Sequence, residues 1–150
     1  MIFTIIIGAH IFGYFVTLTM APQALVSYVQ GLEIGPGVVI LILILIYILL
    51  GCILESVSMM LLTVPVFYPV MQALGFDLVW FGIVVVVVIE ISLIPPPIGL
   101  NVFVLNAMLP DIKLTQIFRG VIPFFIADAV TIALLVAFPA IVLWLPSLAG

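Results

Sequence analysis

Three prolines, a glycine and an asparagine interrupt an apolar stretch in the second half of the sequence. The run reads PPPIGLN at 95–101, and apolar residues continue on both sides of it. Proline lacks an amide proton and clashes with the preceding helical turn, so three in a row must break a helix. A helix broken within a membrane leaves carbonyl oxygens without helical partners, and these need a ligand. The run therefore predicts a cation site, unless it is a turn outside the membrane between two short spans.

Sodium is the cation that suits this run, because carbonyl and carboxamide oxygens are hard ligands. Gly99 permits unusual backbone angles around a small ion. Asn101 either adds a side-chain oxygen or caps the helix that resumes at Val102. The positive end of that resumed helix could also face an anionic group of a substrate.

A second polar cluster, Glu55–Ser58, separates two apolar arms. Its hydroxyls and carbonyls could complete a cation site opposite the proline run. Alternatively, Ser58 caps a helix that begins at Met59, which needs no ligand. The two clusters together indicate a bound cation more specifically than either does alone.

Two acidic residues, Glu90 and Asp128, lie inside apolar runs. A charge at bilayer depth costs at least about 2.5–3.5 kcal/mol on insertion scales, so each acid needs a partner, a proton or water. Glu90 comes shortly before the proline run and could orient that loop, while Asp128 and Thr131 share one helix face. For both acids we favour hydrogen bonds to neighbouring helices over ion or proton transfer. We also favour a helix–helix hydrogen bond over a proton relay for His10.

The composition identifies the chain as an integral membrane protein. Of its 150 residues 68% are hydrophobic and 5% are charged, where a globular domain carries about 25% charged residues. Two basic residues against six acidic ones exclude a nucleic-acid binder. The single cysteine, Cys52, predicts no disulfide or metal site, and no phosphate-binding GxxxxGK[ST] motif occurs. We predict no enzymatic activity and no cofactor beyond a coupling ion.

The fold class that these runs predict is all-α and membrane-spanning, with five segments. The order of the apolar runs gives their bounds: a span at 2–20, a helical hairpin at 37–75, a broken helix at 77–110 with its loop at 95–101, an interfacial helix at 111–120 and a final span at 121–146. The segment between the first span and the hairpin reads as a loop with a short helix that starts near Pro22. For 37–75, periodicity favours a re-entrant hairpin and a full span followed by a Pro-kinked span equally.

The few aromatic and basic residues suggest an orientation. Trp80 and Phe81 suit an interfacial belt near the start of the broken helix. Lys113 and Arg119 place their segment in the cytoplasm by the positive-inside rule, so the hairpin would enter from outside. The sequence opens without the positive region of a secretory signal, which suggests an internal start, a truncation or a piece of a longer chain.

Several of these segments, in this order, resemble the large membrane subunit of tripartite ATP-independent periplasmic (TRAP) transporters, DctM-like, over its C-terminal portion. A Leu-Pro pair follows them at 145–146. The similar segments are FGYFVTLTMAPQAL at 12–25, LGCILESVSMMLLTVPVFYPVMQALGF at 50–76, WFGI at 80–83, EISLIPPPIGLNVFVLNAM at 90–108 and RGVIPFF at 119–125.

The resemblance implies a sodium-coupled secondary transporter of the bacterial inner (cytoplasmic) membrane. Such subunits import organic acids, typically C4-dicarboxylates or sugar acids, without ATP hydrolysis. The implied partners are a small four-helix membrane subunit, a periplasmic substrate-binding protein, the remaining N-terminal part of the large subunit and membrane lipid. The large subunit has two inverted repeats, each with a hairpin and a broken helix, and this chain would hold about one of them.

By that pattern the sodium ligands lie at the hairpin tip and the broken-helix loop. The predicted set is Pro95, Pro96, Pro97, Gly99, Asn101, Ser56 and Ser58, with Glu55 and Glu90 in support. The family commonly has threonine where this chain has Pro95, so a hydroxyl ligand there is lost while the carbonyl ligands remain. Two other functions stay open: a sodium/anion symporter of another broken-helix family, and a non-transporting membrane anchor subunit.

Overall fold

The computed structural model describes residues 2–32, 34–94, 99–109 and 111–148, and the described elements are all α-helices. This confirms the all-α fold class. The eight helices in chain order are α1 (Ile2–Leu18), α2 (Ala21–Gly31), α3 (Pro36–Gly51), α4 (Ser56–Ala73), α5 (Leu78–Ser92), α6 (Leu100–Met108), α7 (Leu114–Ala137) and α8 (Ala140–Ser147).

The first apolar run forms α1 and then turns sharply into α2. The two helix axes differ by 58°. Pro22 has no amide proton to donate to the Leu18 carbonyl, and Met20 adopts a left-handed backbone with φ 54°. The helix therefore stops at the end of the predicted span, and the short helix expected near Pro22 starts there.

The core lies where α3 and α4 pack with α5. Tyr47, Met59 and Val88 are fully buried at its centre, and the Tyr47 ring lies 5.8 Å from the Phe67 ring between centroids. Many other large apolar side chains are exposed, which suits a chain whose surroundings are lipid or other helices.

Two aromatic residues belong to this core rather than to an interfacial belt. Trp80 and Phe81 are 2% and 3% exposed. The prediction of a membrane-interface role for them is wrong, because α5 turns its first residues toward α7 and the core. The residue types alone do not distinguish a position in the core from one at the membrane interface.

The last third of the chain differs from the predicted segments. Lys113 precedes the first turn of α7, which continues without a break to Ala137, so residues 111–120 do not form a separate helix. Pro123 is accommodated inside α7, whereas the helix ends before Pro139. A proline inside a helix removes one backbone hydrogen bond, and the surrounding turns keep the helix intact at the first site but not at the second.

Within the described chain, α4 and α7 are each long and apolar enough to cross a membrane. The bent α1–α2 pair is a third such stretch if it is counted as one span. Helices α3 and α5 are apolar but have 16 and 15 residues. A ~30 Å hydrocarbon core needs about 20 helical residues, so these two are short for full spans. The re-entrant hairpin and the inverted repeat stay predictions.

Candidate functional site

The loop between α3 and α4 is organised by Glu55. Its carboxylate accepts hydrogen bonds from the Val57 and Ser58 backbone amides, both at 3.1 Å, and from the Ser58 hydroxyl at 3.0 Å. Glu55 is therefore the N-cap of α4, and the prediction that Ser58 caps a helix beginning at Met59 is wrong. Glu55 has the extended backbone of a cap residue, φ −75° and ψ 148°, whereas Ser58 already lies in the first turn.

These contacts stabilise the charge of Glu55 and orient the Ser58 hydroxyl. The amides of Val57 and then Ser58 stabilise the ionised carboxylate and lower the pKa of the exposed Glu55 side chain. Ser58 uses its proton in the bond to Glu55, which leaves the lone pairs of its oxygen for another partner. Ser56 is half-buried at the first residue of α4.

The second loop connects α5 to α6. Helix α5 ends at Ser92 and α6 begins at Leu100, so the helix is broken across the proline run. Pro95, Pro96 and Pro97 lie outside the described residues. The Asn101 amide donates to the Leu93 carbonyl oxygen at 3.4 Å, which joins the backbone on the two sides of the break.

Gly99, not Asn101, is the N-cap of α6. Gly99 has a left-handed backbone, φ 45° and ψ 63°, and its carbonyl accepts from Val102 and Phe103 at 2.8 and 3.1 Å. This conformation favours glycine. Asn101 is already inside the helix with an exposed side chain, so the capping alternative for it is wrong, and its role as a ligand stays a prediction.

The helix ends that precede the two loops meet at Gly51 and Ser92, which neither motif had singled out. A Cβ built on Gly51 would overlap the Ser92 side chain and would lie 3.5 Å from the Met59 methyl carbon. Ser92 is fully buried and donates to the Ile89 carbonyl at 2.5 Å. The end of α3 thus lies directly against the end of α5. The available signal was a small residue directly before each loop.

The remaining polar candidates lie outside this contact. Glu90 is exposed although Ile89 and Ile91 beside it are buried, and its hydrogen bond to a neighbouring helix stays a prediction. Asp128 is half-buried, and the Thr131 hydroxyl donates to the Ala127 carbonyl of its own helix at 2.9 Å.

His10 is exposed and lines a groove of about 380 Å³ between α1 and α4. Within the described residues no three His, Cys, Asp or Glu side chains group as a metal site would require. The candidate site is therefore the pair of loops, with backbone carbonyls, hydroxyls and Asn101 as its oxygen donors.

The family model of the DctM component of the tripartite ATP-independent periplasmic transporter matches residues 1–141. The chain belongs to this family. Both loops of the candidate site fall inside the match. The resemblance predicted from the motifs is thus confirmed, and the choice between a TRAP permease and a symporter of another family is decided for the TRAP permease.

Individual TRAP permeases from several bacteria are similar to the chain. It is 33% identical over 143 residues to the sialic acid TRAP transporter large permease protein SiaM of Vibrio cholerae, covering 95% of this chain and 33% of that protein. It is 32% identical over 150 residues to the C4-dicarboxylate TRAP transporter large permease protein DctM of Pseudomonas aeruginosa, covering 100% and 35%. The isethionate TRAP transporter permease protein DctMQ of Oleidesulfovibrio alaskensis is 26% identical over 148 residues, covering 99% and 22%. The chain spans about a third of the length of the first two relatives.

Proposed function

We propose that the chain forms part of a sodium-coupled TRAP transporter that imports organic acids across the bacterial inner membrane. The observation that carries this proposal is the family match over 1–141, which includes both loops. By analogy with the family, the working partners are a small membrane subunit and a periplasmic substrate-binding protein. The rest of the large subunit would enclose the faces of this chain that are exposed here.

The proposed ion site lies between the hairpin loop and the broken helix. The chemistry of the donors supports sodium: carbonyl oxygens near the break, the Asn101 side chain, and the hydroxyls of Ser56 and Ser58. Carbonyls and helix ends at a helix break are the groups that coordinate sodium in transporters built on discontinuous helices. Glu55 supports the site by holding Ser58 in place, and the proline carbonyls of 95–97 complete the proposed set.

The substrate class proposed here is an organic anion. The relatives are named for sialic acid, C4-dicarboxylates and isethionate, so their names do not select one compound. The amide end of α6, with Gly99 as its cap, offers a positive helix terminus at the break. An anionic group of the substrate would be attracted to that terminus.

The test is uptake by the full-length permease that contains this sequence, assayed with its partner subunits. Radiolabelled sialic acid, succinate and isethionate serve as probes, each against a series of sodium concentrations. Asn101→Ala removes one proposed ligand oxygen from an exposed position and should raise the sodium half-saturation. Asn106→Ala is the matched control, since it makes the same change on the same helix α6.

Gly99→Val is a second variant, expected to impair sodium dependence more strongly because valine disfavours the left-handed backbone. The amount of protein in the membrane is measured for each variant. Sodium-independent uptake by the wild type would overturn the coupling. An Asn101→Ala variant with the wild-type sodium half-saturation would show that Asn101 is not a ligand.

A further inference from the structure

The contact between Gly51 and Ser92 is the closest approach of any glycine in the described helices to another part of the chain. Of the other helical glycines described, Gly8, Gly13, Gly31, Gly37, Gly82 and Gly120 have no neighbouring atom within 4 Å of an added Cβ. At Gly51 an added Cβ would overlap Ser92, which is 0% exposed. Glycine is therefore required at this position by space, since the hairpin arm lies directly against α5.

The two residues of this contact lie directly before the two loops of the candidate site. Gly51 is the last residue of α3, directly before the hairpin loop, and Ser92 is the last residue of α5, directly before the break. Met59, on the far side of the hairpin loop, is fully buried and would lie 3.5 Å from a Cβ at Gly51. One contact thus holds both ends of the hairpin loop against the start of the broken-helix loop.

The Ser92 hydroxyl is already used within the protein. It donates to the Ile89 carbonyl of its own helix at 2.5 Å, which turns the hydroxyl away from a role as a donor to a ligand. The buried Cβ and Oγ atoms of Ser92 pack directly against Gly51. A helix end packed this closely cannot shift by the width of a methyl group without moving the loop that follows it.

We infer that Gly51 and Ser92 are positioning residues that set the distance between the ends of α3 and α5 and thereby the affinity for sodium. The inference rests on the proposed function. Neither residue supplies a ligand oxygen from its side chain. Adding a methyl group at Gly51 pushes the end of α3 away from the end of α5. This displaces the proposed ligands Ser56 and Ser58 relative to Asn101 and weakens sodium binding.

The experiment measures sodium binding through thermal stability of the purified full-length permease, which requires no knowledge of the substrate. Sodium chloride replaces potassium chloride at constant ionic strength, and the sodium concentration that gives half of the rise in Tm is recorded. Gly51→Ala is expected to raise that concentration by about tenfold or more, because a misplacement of about 1 Å is enough to disrupt a preorganised site. Gly37→Ala is the control on the same helix, where an added Cβ meets no atom.

A compensating variant separates positioning from a general loss of stability. Gly51→Ala combined with Ser92→Gly moves the side-chain atoms from one helix end to the other and removes the overlap. This double variant should have the wild-type sodium midpoint, even if the Gly51→Ala protein alone reaches only a low amount in the membrane. A wild-type midpoint in Gly51→Ala, or a shifted midpoint in the double variant, overturns the inference. A wild type whose Tm does not respond to sodium overturns the proposed function instead.

Discussion

The indole N–H of Trp80 on α5 donates to the backbone carbonyl oxygen of Leu135 on α7 at 2.8 Å. In an unbroken helix that carbonyl would accept from the amide four residues later, but residue 139 is proline and has no amide proton. The Trp80 ring is buried and stacks on Phe76, with centroids 5.3 Å apart. Trp80 therefore satisfies a carbonyl that the end of α7 leaves open.

Replacing Trp80 with phenylalanine should destabilise the protein by about 0.5–1.5 kcal/mol, since the half-buried Leu135 carbonyl loses its partner while most of the ring packing remains. The measurement is the Tm of the purified full-length permease. Trp144→Phe is the matched control, because Trp144 is 66% exposed and lies near the end of α8. Equal losses in the two variants would show that the hydrogen bond to Leu135 contributes nothing measurable.

Removing the buried hydroxyl of Tyr47 should weaken the packing of α3 on α4. The hydroxyls of Tyr47 and Thr63 hydrogen-bond to each other at 2.7 Å, and Thr63 also donates to the Met59 carbonyl at 2.7 Å. Tyr47→Phe should lower the free energy of unfolding by about 0.5–1.5 kcal/mol, the range for interhelical hydrogen bonds in membranes.

A double-mutant cycle with Thr63→Val tests this contact directly. The combined loss should be smaller than the sum of the two single losses, because each single variant removes the same bond. Tyr14→Phe, at a side chain that is 70% exposed, serves as the control. Strictly additive losses would contradict a shared hydrogen bond.

The start of α7 should face the cytoplasm. Lys113 and Arg119 flank it, and both are exposed. A cysteine introduced as Thr115→Cys, in a protein whose Cys52 is replaced by serine, should resist an impermeant thiol reagent applied to intact cells and should react after the membrane is permeabilised. Ready labelling in intact cells would reverse the proposed orientation.

The 150-residue chain alone should not transport. It spans about a third of the length of SiaM and of DctM, and many of its large apolar side chains are exposed. Purified and reconstituted into liposomes with an inward sodium gradient, it should show no saturable uptake of sialic acid, succinate or isethionate. The full-length permease with its partner subunits is the positive control. Saturable, sodium-dependent uptake by the chain alone would contradict the prediction.

Local chemistry in the sequence determined the fold class, the family and two of the places where helices break. The excess of apolar residues requires helices in a membrane, since only helices satisfy backbone groups within one segment there. Prolines identify the sharp turn at Pro22 and the break after Ser92, because the missing amide proton acts at its own position. The motifs around Glu55 and Gly99 indicated the family resemblance. They did not identify Glu55 and Gly99 as the N-caps of α4 and α6.

The contacts between helices were decided only by the tertiary structure. Trp80 and Trp144 have the same residue type near the ends of apolar runs, yet one is buried against Leu135 and the other is exposed. Residue type states what a side chain can do, whereas its neighbours depend on how helices distant in sequence pack. For the same reason nothing in the sequence indicated that Gly51 and Ser92, two small residues 41 positions apart, form the contact between the ends of α3 and α5. Steric fit between helix ends has no periodic pattern along the chain, so it emerges only when the helices are assembled.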